Sequence, residues 1–140
     1  MKLLIDTNVI LDVLLHREVF FDNSFSVMQL IEKDDFEGYI SASSITDIFY
    51  IVNKKLKDKE LVIGLLKDIL TIVEIQGVTR QEIFSALALG WDDFEDAVQY
   101  STAFFADMDC IVTRNKSDFS KSKIPVYTPQ EALEKFSDLL

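Results

Sequence analysis

Asp6 and Asp118 follow the ends of apolar runs, and Asp47, Asp93 and Asp96 lie at the starts of expected helices. Carboxylates at such junctions either cap helices or gather into a site that holds a cation. Asp6 closes the run Leu3-Leu4-Ile5 and is followed by Thr7-Asn8. At the C-terminal edge of a parallel strand it opens into the crevice where open α/β sheets bind ligands. Asp, Thr and Asn equally favour helix caps, and the residues alone leave both readings open. Asp47 lies in the first turn of an expected helix, where favouring the helix dipole is the simpler reading. Asp93 and Asp96 are three apart and share a face if both are helical. The helix they open carries Ala97, Val98, Ala103 and Phe104, and a charge entering so apolar a helix needs a partner. A second apolar strand, Cys110-Ile111-Val112, ends in Thr113-Arg114-Asn115-Lys116-Ser117-Asp118, so two strands terminate in polar chemistry of the same kind.

Elements that could position these residues follow from periodicity. The unbroken run Leu3 to Ile5 suits a parallel strand covered on both faces. A helix over Val9 to Leu15 carries Ile10 and Leu14 on one face with Asp12 off it, and His16-Arg17 ends it as a solvated terminus. Asp22 can cap a second helix with Phe25, Met28 and Ile31 at helical spacing. Tyr39 to Ser41 reads as a strand, with Ser43 or Ser44 capping a helix to about Lys55 whose stripe is Ile45, Ile48, Phe49, Val52 and Leu56. Lys54, Lys55 and Lys57 read as a solvated corner, with nucleic-acid contact the alternative, before a helix of Leu61, Leu65, Leu66 and Ile69. Ile72-Val73 is a strand candidate. Thr79 and Glu82 form a capping box, and Gly90 closes that helix. Val126-Tyr127 makes the last strand, and Thr128-Pro129-Gln130-Glu131 opens the last helix. Strands alternating with helices imply a mainly parallel sheet of four or five strands between helical layers.

The 140 residues fit one domain, 1–140, and 49% hydrophobic residues suffice for an ordinary core. Apolar stretches are too short to span a bilayer, and Asp6 interrupts the first before it could act as a signal core, so a cytoplasmic protein is expected. The single cysteine, Cys110, lies in an apolar run, where a buried inert thiol is the simpler reading. A net charge of −10 opposes non-specific adhesion to nucleic acid or anionic membrane. An acidic cluster neutralised by divalent cations remains compatible with it.

Leu4-Ile5-Asp6-Thr7-Asn8, the helix around Asp47, Asp93-Phe94-Glu95-Asp96-Ala97 and Ile111-Val112-Thr113-Arg114-Asn115-(x2)-Asp118-Phe119, in this order, resemble the motifs of the PIN-domain family. The resemblance covers about Lys2 to Thr128 and implies a three-layer α/β/α sandwich. It implies a Mg2+ or Mn2+-dependent nuclease, usually a ribonuclease, with Asp6, Asp47 and Asp96 as its first three acids. For the fourth position both Asn115 and Asp118 are named, with Asp118 preferred because it is charged. Asp6, Asp96 and Asp118 are the expected metal ligands. Thr113 matches a small hydroxyl residue beside the metal, and Asn8, Asp93 and Asn115 are supporting positions. Arg114 and Lys116, with Lys121 or Lys123, stand near enough in sequence to contact phosphate. The oxygen donors suit hard cations, and the absence of a Cys/His cluster disfavours zinc.

Asp47 stands where the family commonly has glutamate and is one methylene shorter. The sequence resembles a poorly characterised branch of the family more than its best-known toxins; a VapC-type toxin acting on RNA, with a small antitoxin as partner and a homodimer, is one reading the resemblance allows. Two other readings remain open: a catalytically degenerate module that binds RNA or protein, and a phosphotransfer domain with Asp6 as nucleophile. A haloacid-dehalogenase-like site would want aspartate where Asn8 stands, which weakens the second.

Overall fold

Leu3 and Ile5 pack into one apolar layer and Leu4 into the other, which is why the first strand shows no alternation. A computed structural model of the chain describes residues 1–139; the expected domain runs one residue past them. The strands are β1 (Lys2–Ile5), β2 (Glu37–Ser41), β3 (Val73–Gln76), β4 (Cys110–Val112) and β5 (Val126–Tyr127). The helices are α1 (Thr7–Leu14), α2 (Phe21–Ile31), α3 (Ala42–Leu56), α4 (Lys59–Ile69), α5 (Arg80–Leu89), α6 (Phe94–Phe105) and α7 (Pro129–Phe136). Short 3-10 turns cover Lys116–Phe119 and Ser137–Leu139.

All strand pairings are parallel, in the order β3-β2-β1-β4-β5. The chain therefore builds outward from β1 through β2 to β3, then returns to start again at β4 on the other side. That reversal leaves a crevice beyond the C-terminal ends of β1 and β4, the place where open α/β sheets hold ligands. The register Ile5↔Val112 brings Asp6 level with Thr113, and the Asp6 N–H donates to the Val112 carbonyl at 2.9 Å. Cys110 and Val112 join the layer of Leu3 and Ile5, whereas Ile111 joins Leu4, Tyr100 and Phe119. Period-two alternation thus feeds two cores from strands without polar residues at their centres.

Several local expectations change. Helix α1 begins at Thr7, two residues earlier than its apolar face indicates. Asp12, expected off the packed face, is fully buried, because Arg114, Arg17 and Ser24 supply it with partners. The cap of α3 is Ser41, whose hydroxyl accepts from the Ser43 N–H at 3.3 Å, and Ser44 is buried instead. Phe25, Leu56 and Leu61 lie exposed, and α4 buries Val62, Leu66 and Ile69, a face rotated from the expected one. Strand β3 extends to Gln76. Capping boxes form at Thr79/Glu82 and Thr128/Glu131, and Gly90 adopts φ +65° at the end of α5, a conformation that favours glycine.

Candidate active site

Asp6 is almost fully buried at the end of β1, and its carboxylate is held from two sides. Thr113 Oγ1, from the end of β4, donates to Oδ2 at 2.7 Å, and Gln99 Nε2, from α6, donates to Oδ1 at 3.0 Å. Gln99 Nε2 also lies 3.5 Å from Asp96 Oδ1, so these Asp6 and Asp96 oxygens sit within two hydrogen-bond lengths of each other. The other Gln99 amide atom, Oε1, is buried without a hydrogen-bond partner. Thr113 accepts the Asn115 N–H at 3.0 Å, which fixes its hydroxyl to point at Asp6.

Helices α3 and α6 bring the remaining acids to the same end of the sheet. Asp47 is exposed in the second turn of α3, above the strand end that feeds it. Asp93 is the N-cap of α6 and accepts the Asp96 N–H at 3.0 Å, so the two do not share a helical face as expected. Trp91 stacks near Tyr100, with centroids 4.9 Å apart, and meets Phe119 edge-on at 6.1 Å. Phe119, buried, anchors the 3-10 turn that carries Asp118. Aromatic packing behind the acids therefore sets where Asp93 and Asp118 emerge. Asp6, Asp47, Asp93, Glu95, Asp96 and Asp118 line one open cleft of about 400 Å³, with Thr7, Asn8, Leu11, Tyr50 and Ile51 completing its wall. Asn115 lies instead in a groove with Phe20, Arg114 and Pro129.

Sequence reasoning missed Glu95, Gln99, Thr7 and Ser44. The Thr7 hydroxyl lies 2.8 Å from Ser44 Oγ and 3.4 Å from Glu95 Oε1, linking α1, α3 and α6 around the cleft. The available signal was Gln99 itself: a polar residue one turn beyond Asp96 in an apolar helix. The basic residues expected at phosphate are engaged elsewhere. Arg114 forks onto Asp12, Nε to Oδ2 at 2.7 Å and Nη2 to Oδ1 at 3.2 Å, with its guanidinium 3.9 Å from the Phe20 ring centroid. Lys116 Nζ pairs with Glu131 Oε2 at 3.1 Å. Lys121 lines a pocket with Asp92, Asp93 and Asp118.

Crowding the acids raises their proton affinity. Burial pushes the Asp6 carboxyl upward, against the Thr113 and Gln99 hydrogen bonds, and Asp118 adds repulsion. Burial, then repulsion from Asp6, Asp93, Asp118 and Glu95, pushes Asp96 up to about 7. Burial and the neighbouring Asp47 push Glu95 to about 7 as well. Among the described residues no group of three carboxylate, imidazole or thiol side chains is already arranged to hold a metal ion. The donor set nevertheless fits a hard cation: all its acids offer oxygen, no Lys or Arg lines the cleft, and charge is uncompensated there.

A pH dependence follows for the metal-free protein. A carboxyl raised from about 4 unfolded to about 7 folded binds its proton more tightly in the folded state. The stability it contributes is complete below about pH 4 and lost as pH rises through about 7. Thermal unfolding should therefore move to lower temperature between about pH 5.5 and about pH 8 without metal, and saturating Mn2+ should flatten the trend. Near neutral pH, Mn2+ binding should release protons, seen as a buffer-dependent calorimetric heat. A heat independent of buffer would detach these carboxyls from the binding event.

An open parallel sheet whose switch point gathers carboxylates beyond its central strands defines an α/β protein that presents an acidic site. The PIN domain family model matches residues 2–117, and the chain belongs to the PIN-domain family. It is 28% identical over 143 residues to a protein named Ribonuclease VapC1 from Aquifex aeolicus (strain VF5), covering 99% of this chain and 97% of that protein. Its fold is similar to VapBC2 from Rickettsia felis, solved bound to a DNA fragment from their promoter, with TM-score 0.71 and 20% identity over 91% of this chain and 97% of that one. VapBC-1 from nontypeable Haemophilus influenzae gives TM-score 0.72 at 14% identity over 93% and 99% of the respective chains. The three-layer sandwich expected from the motifs is thus the observed fold, its sheet five-stranded and wholly parallel. Among the described residues no helix is long and apolar enough to cross a membrane.

Proposed function

We propose that this protein is a divalent-metal-dependent endoribonuclease and the toxin of a toxin-antitoxin pair. One observation carries the reading: Asp6, Asp47, Asp96 and Asp118, spread through the sequence, line a single cleft that contains no basic side chain. Ribonuclease VapC1, similar over nearly its whole length, supports RNA as the substrate, and the VapBC structures support a small antitoxin as partner. Asp6, Asp96 and Asp118 would hold Mg2+ or Mn2+, with Asp47 reaching it directly or through water. When bound, such a cation activates water and neutralises charge developing on the phosphodiester.

The chain's own groups set up that chemistry. Thr113 and Gln99 hold the Asp6 carboxylate in one rotamer, and Gln99 spans to Asp96. Asp93 ties down the first turn of α6, from which Asp96 projects. Glu95, near neutrality and beside the Thr7 hydroxyl, can take or return a proton at Oε1. Single-stranded RNA incubated with the protein should be cut in Mn2+ or Mg2+ and left intact in EDTA. Cleavage that survives EDTA would remove the metal from the account.

A second reading, a PIN module that binds without cutting, is favoured by the short Asp47 side chain. Mn2+ binding without RNA cleavage would select it. A gene for a small protein beside this one would support the antitoxin, and its absence would count against the toxin role.

A further inference from the structure

Helix α3 carries one continuous face away from the acidic cleft. Asp47, Tyr50, Ile51, Lys54 and Lys55 follow at spacings of three and four, so they share a stripe that climbs about 10 to 12 Å along the axis. Tyr50 and Ile51 line the cleft beside Asp47. Ile51 then lines the adjoining groove together with Leu15, Arg17, Lys54 and Lys55, about 600 Å³ in volume and without an acidic residue in its wall. In a chain of net charge −10 this is a local reversal of sign carried by Lys54 and Lys55 of α3, since Arg17 in the same wall already pairs with the buried Asp12 at 3.6 Å. Tyr50 is 65% exposed at the junction of cleft and groove, and the Lys54 ammonium lies 6.0 Å from its ring centroid.

From this continuity we propose that the α3 stripe is the RNA-binding path of the cleft: Tyr50 stacks on a base next to the bound phosphodiester, and Lys54 and Lys55 contact the phosphates beyond it. The inference rests on the ribonuclease reading and names where its substrate leaves the acids. An exposed aromatic followed by cations is the arrangement that binds single strands without sequence readout. The stripe's rise matches about three stacked nucleotides. The opposite flank of the cleft offers phosphate less, since Lys121 shares its pocket there with Asp92, Asp93 and Asp118, and Lys116 pairs with Glu131. Lys54 and Lys55 also complement the dipole at the end of α3, but that does not account for the exposed Tyr50 beside them.

The test uses a fluorescein-labelled single-stranded oligouridylate, its affinity for the full chain read by anisotropy in the Asp96→Asn background over a salt series. Replacing both lysines, K54Q with K55Q, should flatten the slope of log affinity against log salt by about 1.4. Tyr50→Ala should weaken binding by roughly 5- to 150-fold, with Tyr50→Phe restoring it. The control K67Q with K135Q, an equal charge change on α4 and α7, should leave the slope in place. In the parent background the stripe variants should lose kcat/KM through KM. The substituted residues are exposed, and unchanged thermal unfolding separates binding from folding effects. Affinity and slope equal to those of the parent would overturn the path, as they would if the groove serves a protein partner instead. A parent that cuts RNA while the stripe variants bind normally ends this inference alone. A parent that binds RNA through the stripe but never cuts ends the nuclease reading alone.

Discussion

Arg114→Ala will destabilise the protein by about 3 to 5 kcal/mol, lowering its unfolding temperature by roughly 10 to 20 °C. Asp12 is fully buried, and the Arg114 fork supplies its two shortest ionic contacts. Removing the guanidinium strands that carboxylate, leaving only Ser24 Oγ at 3.2 Å and Arg17 at 3.6 Å. The pair also ties α1 to the loop after β4, the loop on which Thr113 and Asp118 are mounted. Combining Asp12→Asn with Arg114→Met should cost less than the sum of the single changes, because neither group is then left unpaired. Chemical denaturation of the four proteins measures the coupling. A loss under about 1 kcal/mol with RNA affinity reduced would return Arg114 to phosphate binding, the role its place in the sequence first indicated.

Asp96→Asn will reduce RNA cleavage by more than about 100-fold while the fold is kept. The substitution removes one expected ligand and one of the charges that repel Asp6 and Glu95, so the metal-free variant should unfold at a temperature equal to or above that of the parent at about pH 8. Loss of activity with a gain of stability separates a ligand from a structural acid, whose removal would lower both. Single-turnover cleavage and thermal unfolding measure the two effects. If cleavage persists in Asp96→Asn, the cutting belongs to another site or a contaminant. If the parent itself binds Mn2+ yet cuts weakly, Asp47→Glu, which lengthens that side chain by a methylene, should raise the rate.

What was legible in the sequence shares a physical basis. Apolar runs ending in Asp6 and in Thr113 to Asp118 mark strands whose ends emerge together in a parallel sheet, and caps at Thr79, Thr128 and Gly90 depend only on neighbours along the chain. Those signals are local, so they survive without knowledge of packing. Gln99, Glu95 and Asp12 were not legible, because their importance depends on how α6 and α1 are rotated against the sheet. Gln99 matters because it reaches Asp6, 93 positions away, and Asp12 because it meets Arg114, 102 positions away. Arg114 was misread for the same reason: charge beside a candidate site looks like a ligand contact until its partner is seen. The face of α4 was misplaced because its apolar residues surround too much of the helix for periodicity to choose between Leu61 and Val62.

The cleft acids are proposed to form a cation site. Isothermal calorimetry of Mn2+ binding to the parent and to Asp6→Asn tests it without relying on a substrate. Saturable binding by the parent that is lost in a folded Asp6→Asn is the predicted result; equal affinity in both proteins, or no binding by the parent, would contradict it.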